Sequence, residues 1–252
     1  MISKIIILTS LVLNINAQAE EKFIVMYHAK DIENKSNNLP KNTIIFFDID
    51  DTLITPISSS FRTKNSEINL IDEIKNNKNA YSNYNEILSN WRLTRKTMLV
   101  DPTWPEVINR LKQKHQVFGL TKMDVGKFGN IKSMEEWRYN ELKAFGIEFS
   151  SFATSKHKFV YHGIFMTGPN NKSEIIKLYL PSLKPSHIMF IDDKLEYLED
   201  VSSFCTANNI PFTGILYRGA DNLPGVVNTK VKTIQKHNLI TNNTWLEDEE
   251  IF

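Results

Sequence analysis

The stretch TIIFFDIDDTL, residues 43–53, decides the fold of this protein. Its first half, Thr43–Phe47, is an uninterrupted run of β-forming, mostly apolar residues, which is typical of a strand buried on both faces of a parallel sheet. Its second half places three carboxylates, Asp48, Asp50 and Asp51, directly after that strand. Ligand sites in open α/β sheets lie at the carboxyl ends of the strands, so the sequence predicts a site here.

Similar apolar runs recur along the chain. Residues 115–120, 187–191 and 212–217 predict three more strands, and helical patterns occupy residues 133–145 and 195–207. Strands that alternate with helices favour a mostly parallel sheet covered on both faces. The predicted fold class is therefore α/β.

Two stretches depart from this alternation. Residues 58–105 are polar with helical patches and predict a small helical insertion between the first two core strands. Residues 159–166 predict a small hairpin, in which Gly163 could form a bulge. The remaining core is assigned to residues 20–57 and 106–240.

The two ends of the chain differ from the core in composition. Lys4, an apolar run at residues 5–13 and the small residues Ala17 and Ala19 form the pattern of a secretory signal peptide. Cleavage after Ala19 would release an exported chain. A membrane anchor is the alternative, but the run is far shorter than the roughly 20 residues of a spanning helix, so no stable membrane insertion is expected. Residues 241–252 form a polar, acidic tail.

Composition excludes some partners. The formal net charge is +1, with 30 basic and 29 acidic residues, so the chain lacks the electrostatic signature of a nucleic-acid-binding protein. The single cysteine, Cys205, excludes an internal disulfide. It shares a helical stripe with Leu198 and Val201, which favours a buried, inert thiol over a reactive one.

Two acidic groups could carry chemistry. A carboxylate such as Asp48 can attack phosphorus, and a second one, Asp50, can exchange protons with the leaving group and with water. Asp192 and Asp193 end another predicted strand and suit a hard cation such as Mg²⁺. Each group also has a plainer interpretation, as a solvated loop or a helix cap.

Two phosphate-binding candidates lie between these acidic groups. Thr121 ends the second predicted strand, where a hydroxyl and a backbone N–H can hold a phosphate oxygen. Lys172 precedes a predicted helix at residues 173–180 and can neutralise phosphate. Taken singly, Thr121 could be a turn residue and Lys172 a surface cation.

In combination, these elements resemble the four motifs of the haloacid dehalogenase superfamily of phosphatases. The matching residues are Asp48, Asp50 and Thr52, then Thr121, then Lys172, then Asp192 and Asp193. The resemblance spans residues 43–217. Together with the signal peptide it looks like a group of secreted bacterial members of that superfamily, and exported acid phosphatases are similar in plan. Lys194 departs from the commonest fourth motif; it could pair with Asp192 or Asp193, but it is expected to face solvent.

The resemblance implies a Rossmann-like core, a helical cap formed by the insertion, and Mg²⁺-dependent hydrolysis of a small phosphorylated substrate. It implies that Asp48 is the nucleophile and Asp50 the general acid and base. Thr121 and Lys172 would hold the phosphoryl group. The implied metal ligands are Asp48, Asp50 through its backbone carbonyl, Asp192, and Asp193 directly or through water.

The insertion carries basic and aromatic residues whose roles the sequence leaves open: Arg62, Lys64, Trp91, Arg92 and Arg95. Trp91 is expected to pack inside the cap while the arginines face water. Two alternatives to hydrolysis also remain open. One is a secreted binding or effector protein without turnover, and the other is a phosphotransferase that uses the same nucleophile.

Overall fold

The computed structural model describes residues 23–61, 69–152, 158–223 and 228–251. The predicted signal peptide, Arg62 and Lys64 lie outside these ranges. Within the ranges, no helix combines the length and the apolar character that crossing a bilayer requires.

The described strands are β1 (Ile24–Met26), β2 (Thr43–Phe47), β3 (Ile54–Pro56), β4 (Thr97–Leu99), β5 (Gln116–Thr121), β6 (Val160–Tyr161), β7 (Ile164–Met166), β8 (His187–Asp192) and β9 (Phe212–Tyr217). Seven of them form the main sheet, in the order β1-β9-β8-β2-β5-β7-β6, and β3 and β4 form a separate two-stranded sheet. All neighbours in the main sheet are parallel except β6, which runs antiparallel to β7.

The described part of the chain contains eight α-helices and four short 3₁₀ helices. The α-helices are α1 (Ala29–Ser36), α2 (Leu70–Asn76), α3 (Tyr84–Thr94), α4 (Trp104–Lys112), α5 (Met134–Lys143), α6 (Lys172–Leu183), α7 (Leu195–Ala207) and α8 (Thr229–Asn242). The 3₁₀ helices are Ser59–Phe61, Lys78–Ala80, Gly219–Asn222 and Asp248–Glu250.

The predicted α/β class and mostly parallel sheet are confirmed. The strand predicted at 43–47 is β2, which lies between β5 and β8 with all five residues buried. Its side chains alternate between two cores, because successive residues of a strand point to opposite faces. Ile44 and Phe46 pack in one core, and Ile45 and Phe47 pack in the other. The sheet is therefore covered on both faces.

The other predicted elements are close to those observed. The strand predicted at 115–120 is Gln116–Thr121, and the strand predicted at 187–191 extends to Asp192. The helix at 195–207 is observed with those bounds. Cys205 on that helix is fully buried, and burial raises its thiol pKa to about 12, as expected for an inert thiol.

The predicted bulge at Gly163 is wrong. Val160 pairs with Phe165 and Tyr161 pairs with Ile164, so only His162 and Gly163 form the loop. Both loop residues have positive φ, 46° and 77°. A two-residue hairpin loop of this kind matches the twist of its strands only with both residues left-handed.

The insertion has a short sheet at its base. β3 and β4 pair antiparallel, from Ile54 opposite Leu99 to Pro56 opposite Thr97, so the chain leaves and re-enters the core at one place. Helices α2 and α3 lie between the two strands in sequence. Trp104, which the sequence analysis assigns to the insertion, begins α4, and its ring packs 5.3 Å from that of Phe47 in the core.

Helix α8 and the tail pack against the insertion, although the sequence analysis assigns residues up to 240 to the core. Leu239 and Trp245 share an apolar cluster with Phe61 and Trp91. The carboxylate of Asp248 accepts hydrogen bonds from the Ser58 and Ser59 hydroxyls, at 2.5 and 2.7 Å. The acidic tail is thus ordered because it satisfies polar groups at the start of the insertion.

Candidate functional site

Three neighbouring strands end at the candidate site. Phe47, the last residue of β2, is in register with Gly119 of β5 on one side and Ile191 of β8 on the other. The backbone N–H of Asp48 still donates to Ile191, at 2.8 Å. This register carries Asp48, Thr121 and Asp192 to one edge of the sheet, as the sequence predicts.

Lys172 lies at the centre of the site. Asn171 caps helix α6 and forms a capping box with Glu174, so Lys172 is the first residue of the helix rather than the residue before it. Its side chain is fully buried, with Nζ 2.5 Å from Asp48 Oδ1 and 2.7 Å from Asp192 Oδ2. The interpretation of Lys172 as a surface cation is therefore wrong.

Asp48, Asp192 and Asp193 form a compact carboxylate group. Each offers one oxygen within 4.8 Å of the oxygens of the other two. Burial raises the pKa of all three, that of Asp192 to about 7 and that of Asp193 well above its usual range. Lys172 opposes this effect on Asp48 and Asp192, but one ammonium does not neutralise three carboxylates.

The group fits a divalent cation. The Oδ1 atom of Asp193 is buried and has no hydrogen-bond partner within the described ranges. A buried, unpaired carboxylate oxygen is costly, and a hard cation bound by the three oxygens would remove that cost. The carboxylate of Asp50 lies outside this group, and metal binding by its backbone carbonyl stays a prediction.

Asp50 is paired with arginines. Arg138 Nη2 lies 2.7 and 3.0 Å from its two carboxylate oxygens, and Arg95 Nη2 lies 3.6 Å from one of them. Burial alone would raise the pKa of Asp50, but Arg138 and Arg95 outweigh it and lower that pKa to about 2. Asp50 is thus ionised, whereas a general acid begins its step protonated.

The sequence analysis missed Arg138, although a signal was available. Arg138 shares one face of α5 with Met134 and Leu142, at spacings of four residues, and all three are buried. A charged residue in an otherwise apolar stripe needs a partner of opposite charge. Asp50 and Glu141 are those partners, with Arg138 Nη1 2.7 Å from Glu141.

The prediction for the insertion is confirmed for Trp91 and wrong for Arg92 and Arg95. Trp91 is buried, with its ring 5.0 Å from that of Phe61. Arg95 does not face water: its side chain is 3% exposed and lies 4.3 Å from the Trp91 ring. Arg92 is half-buried, 4.6 Å from the Phe128 ring. Planar guanidinium groups stack on aromatic rings, and this stacking holds both side chains inside the protein.

A cleft joins these groups. Its lining residues include Asp48, Asp50, Asp193 and Thr121 from the core, and Trp91, Arg92 and Arg95 from the insertion. Lys194 also lines the cleft; it is exposed, as expected, and its backbone N–H donates to Asp192 Oδ1 at 2.9 Å. The acidic residues of the core and the arginines therefore line the same cleft.

Comparison with known protein families assigns this chain to one of them. A family model described as "Protein of unknown function (DUF2608)" matches residues 26–252. The chain belongs to the DUF2608 family. The match to DUF2608 includes the carboxylate group, the whole insertion and the tail that packs on it.

A relative of similar length occurs among curated proteins. Uncharacterized protein RP296 of Rickettsia prowazekii (strain Madrid E) is 27% identical over 261 residues, which cover 96% of this chain and 95% of that protein. No solved structure matches the chain.

Proposed function

We propose that this DUF2608 protein is a Mg²⁺-dependent phosphohydrolase with a haloacid dehalogenase-type core and Asp48 as its nucleophile. The observation that carries the proposal is the position of Lys172, buried between Asp48 and Asp192 beside the unpaired oxygen of Asp193. When all three carboxyls are ionised, one ammonium leaves a local negative charge, which a bound cation would stabilise. That charge suits a divalent cation together with a phosphoryl group.

The proposed reaction has two steps. A carboxylate oxygen of Asp48 forms a bond to phosphorus while the bond to the leaving alcohol oxygen breaks, and that oxygen keeps the electron pair and takes a proton. Water then attacks phosphorus, the bond to Asp48 breaks, and phosphate leaves. Bound Mg²⁺, held by Asp48, Asp192 and Asp193, would supply charge neutralisation for the phosphoryl oxygens. Lys172 and Thr121 would position the same oxygens.

Asp50 is proposed to move the protons. In its ionised state it can accept the proton of the attacking water, which is the second half of the role expected from the sequence. To protonate the leaving oxygen it must first gain a proton, and the pair with Arg138 opposes this. A substrate anion that draws Arg138 and Arg95 away from Asp50 would raise the pKa of Asp50 towards the value that the first step requires.

The proposal is tested by the hydrolysis of para-nitrophenyl phosphate by residues 20–252, with Mg²⁺ and then with EDTA, from acid to neutral pH. We expect phosphate release that EDTA abolishes and Mg²⁺ restores. Folded protein that releases no phosphate at any pH would contradict hydrolysis and favour the binding-protein alternative. Release of more nitrophenol than phosphate when glycerol is added would identify a phosphotransferase instead.

Export is proposed as well, on the N-terminal pattern alone. Cleavage after Ala19 would leave Glu20 as the first residue of the mature chain. N-terminal sequencing of the protein recovered from the cells that make it tests this directly, and a chain that still begins at Met1 would contradict it.

A further inference from the structure

Three guanidinium groups that line the cleft have hydrogen-bond donors without acceptors. Arg92 and Arg95 come from the insertion, at the end of α3, and Arg138 comes from α5 in the core. One N–H group of each is buried without a hydrogen-bond partner among residues that the structure describes: Nη1 of Arg92, Nε of Arg95 and Nε of Arg138. Buried donors are normally paired, so three in one place indicate an absent acceptor.

Aromatic rings hold the guanidinium groups in place. The Arg138 guanidinium lies 4.7 Å from the Trp137 ring, and that of Arg95 lies 5.5 Å from the same ring. Arg95 also stacks on Trp91, and Arg92 stacks on Phe128. Each planar group is thereby oriented before a ligand arrives, which lowers the entropy cost of binding one.

The cluster also has an excess of positive charge. Arg95 and Arg138 share two carboxylates within ion-pair distance, those of Asp50 and Glu141, and Arg92 has none at that distance among the described residues. Burial and the charges of Arg95 and Arg138 lower the pKa of Arg92 to about 10, although Asp50 and Asp124 oppose this. An anion bound beside Arg92 would favour the charged guanidinium and so raise the pKa of Arg92 again.

We propose that Arg92, Arg95 and Arg138 form a second anion site, which binds a carboxylate or phosphate group at the far end of the substrate. This inference rests on the proposed function and deepens it: the preferred substrates are phosphomonoesters that carry a second anionic group. Asp50 pairs with Arg138 and Arg95 and follows Asp48 by only two residues, and both aspartates line one cleft with the three arginines. We therefore expect a short carbon chain to separate the second anion from the phosphoryl group.

The test compares ω-phosphonooxy carboxylates of two to five carbons with their amides, which lack only the charge. We expect the native enzyme to favour the carboxylate of at least one length. In Arg92→Gln and Arg95→Gln this carboxylate-to-amide ratio of kcat/KM should fall about tenfold or more, because a charge-assisted hydrogen bond is lost. A ratio near one at every length in the native enzyme, or an unchanged ratio in both variants, would overturn the proposal.

Arg110→Gln is the matched control. Arg110 lies on α4, is 41% exposed and pairs with Glu33, outside the cleft lining. The same chemical change there should leave the carboxylate-to-amide ratio unaltered. A fall as large as in Arg92→Gln would trace the effect to general loss of arginine charge and would count against the second site.

A binding measurement separates failure of this inference from failure of the proposed function. In Asp48→Asn protein, calorimetry with the same probes needs no turnover. Tighter binding of a carboxylate than of its amide, reduced about tenfold in Asp48→Asn/Arg92→Gln, would support the second site even in a protein without phosphatase activity. Equal binding of the two probes, or binding of neither, would overturn it.

Discussion

We expect replacement of Asp48 by asparagine to abolish turnover, with a loss in kcat of about a thousandfold or more, and to leave the fold intact. An amide cannot form the bond to phosphorus that the proposed first step requires, and loss of a nucleophile has effects of at least this order in other enzymes. The measurement is para-nitrophenyl phosphate hydrolysis with Mg²⁺, beside a thermal unfolding curve of each protein.

The structure also explains why Asp48→Asn should fold. Burial raises the pKa of Asp48, which means that its site penalises the charged form. A neutral amide of nearly the same shape avoids that penalty, and Lys172 keeps its contact with Asp192 at 2.7 Å.

An exposed aspartate outside the cleft lining provides the control. Asp31 lies in the first turn of α1, and Asp31→Asn should keep activity and lose at most about 1 kcal/mol of stability. Activity of Asp48→Asn above about a tenth of that of the native enzyme would remove Asp48 from the role of nucleophile.

Replacement of Lys172 by methionine should cost about 3–5 kcal/mol of unfolding free energy, the usual cost of leaving a buried charge without its partner. For a domain of this size, this loss of stability corresponds to a thermal unfolding midpoint lower by roughly 6–20 °C. The side chain is fully buried between Asp48 and Asp192, so water does not replace the lost ammonium. Thermal unfolding in EDTA measures the effect without the contribution of bound cations.

Two comparisons make the result specific to the ion pairs. Lys177→Met, on the exposed face of the same helix α6, should change the midpoint by only a few degrees. The double variant Asp48→Asn/Lys172→Met removes one charge of each sign, and it should be more stable than Lys172→Met alone. Strictly additive effects in this double-mutant cycle would show that Lys172 is held by packing rather than by the carboxylates.

Local patterns predicted the sheet and one half of the site. The buried run at residues 43–47 and the acidic residues after it were enough to place Asp48 at the end of a central strand, because periodicity and apolar content act within a few residues. The same reasoning brought Thr121 and Asp192 to that edge, since parallel strands end together. The helix start at Lys172 was one residue from its predicted position.

The partners of the charged side chains were decided by tertiary structure alone. Asp50 and Arg138 are 88 residues apart, and no local pattern links them. Arg92 and Arg95 belong to the polar insertion, whose composition alone predicts exposure to solvent. Contacts with the rings of Trp91, Trp137 and Phe128 place their guanidinium groups inside the protein. The acidic tail packs against the insertion because the insertion supplies serine hydroxyls that donate to Asp248 and an apolar cluster that contains Trp245.

The sequence by itself therefore determined the α/β sheet and the nucleophile candidate beside Lys172 and the aspartate pair. The tertiary structure decided the ionisation of Asp50, the burial of the arginines and the second anion site proposed from them. The physical reason is range: strand and helix signals depend on neighbours in the chain, whereas the energy of a buried charge depends on whichever distant segment is packed against it.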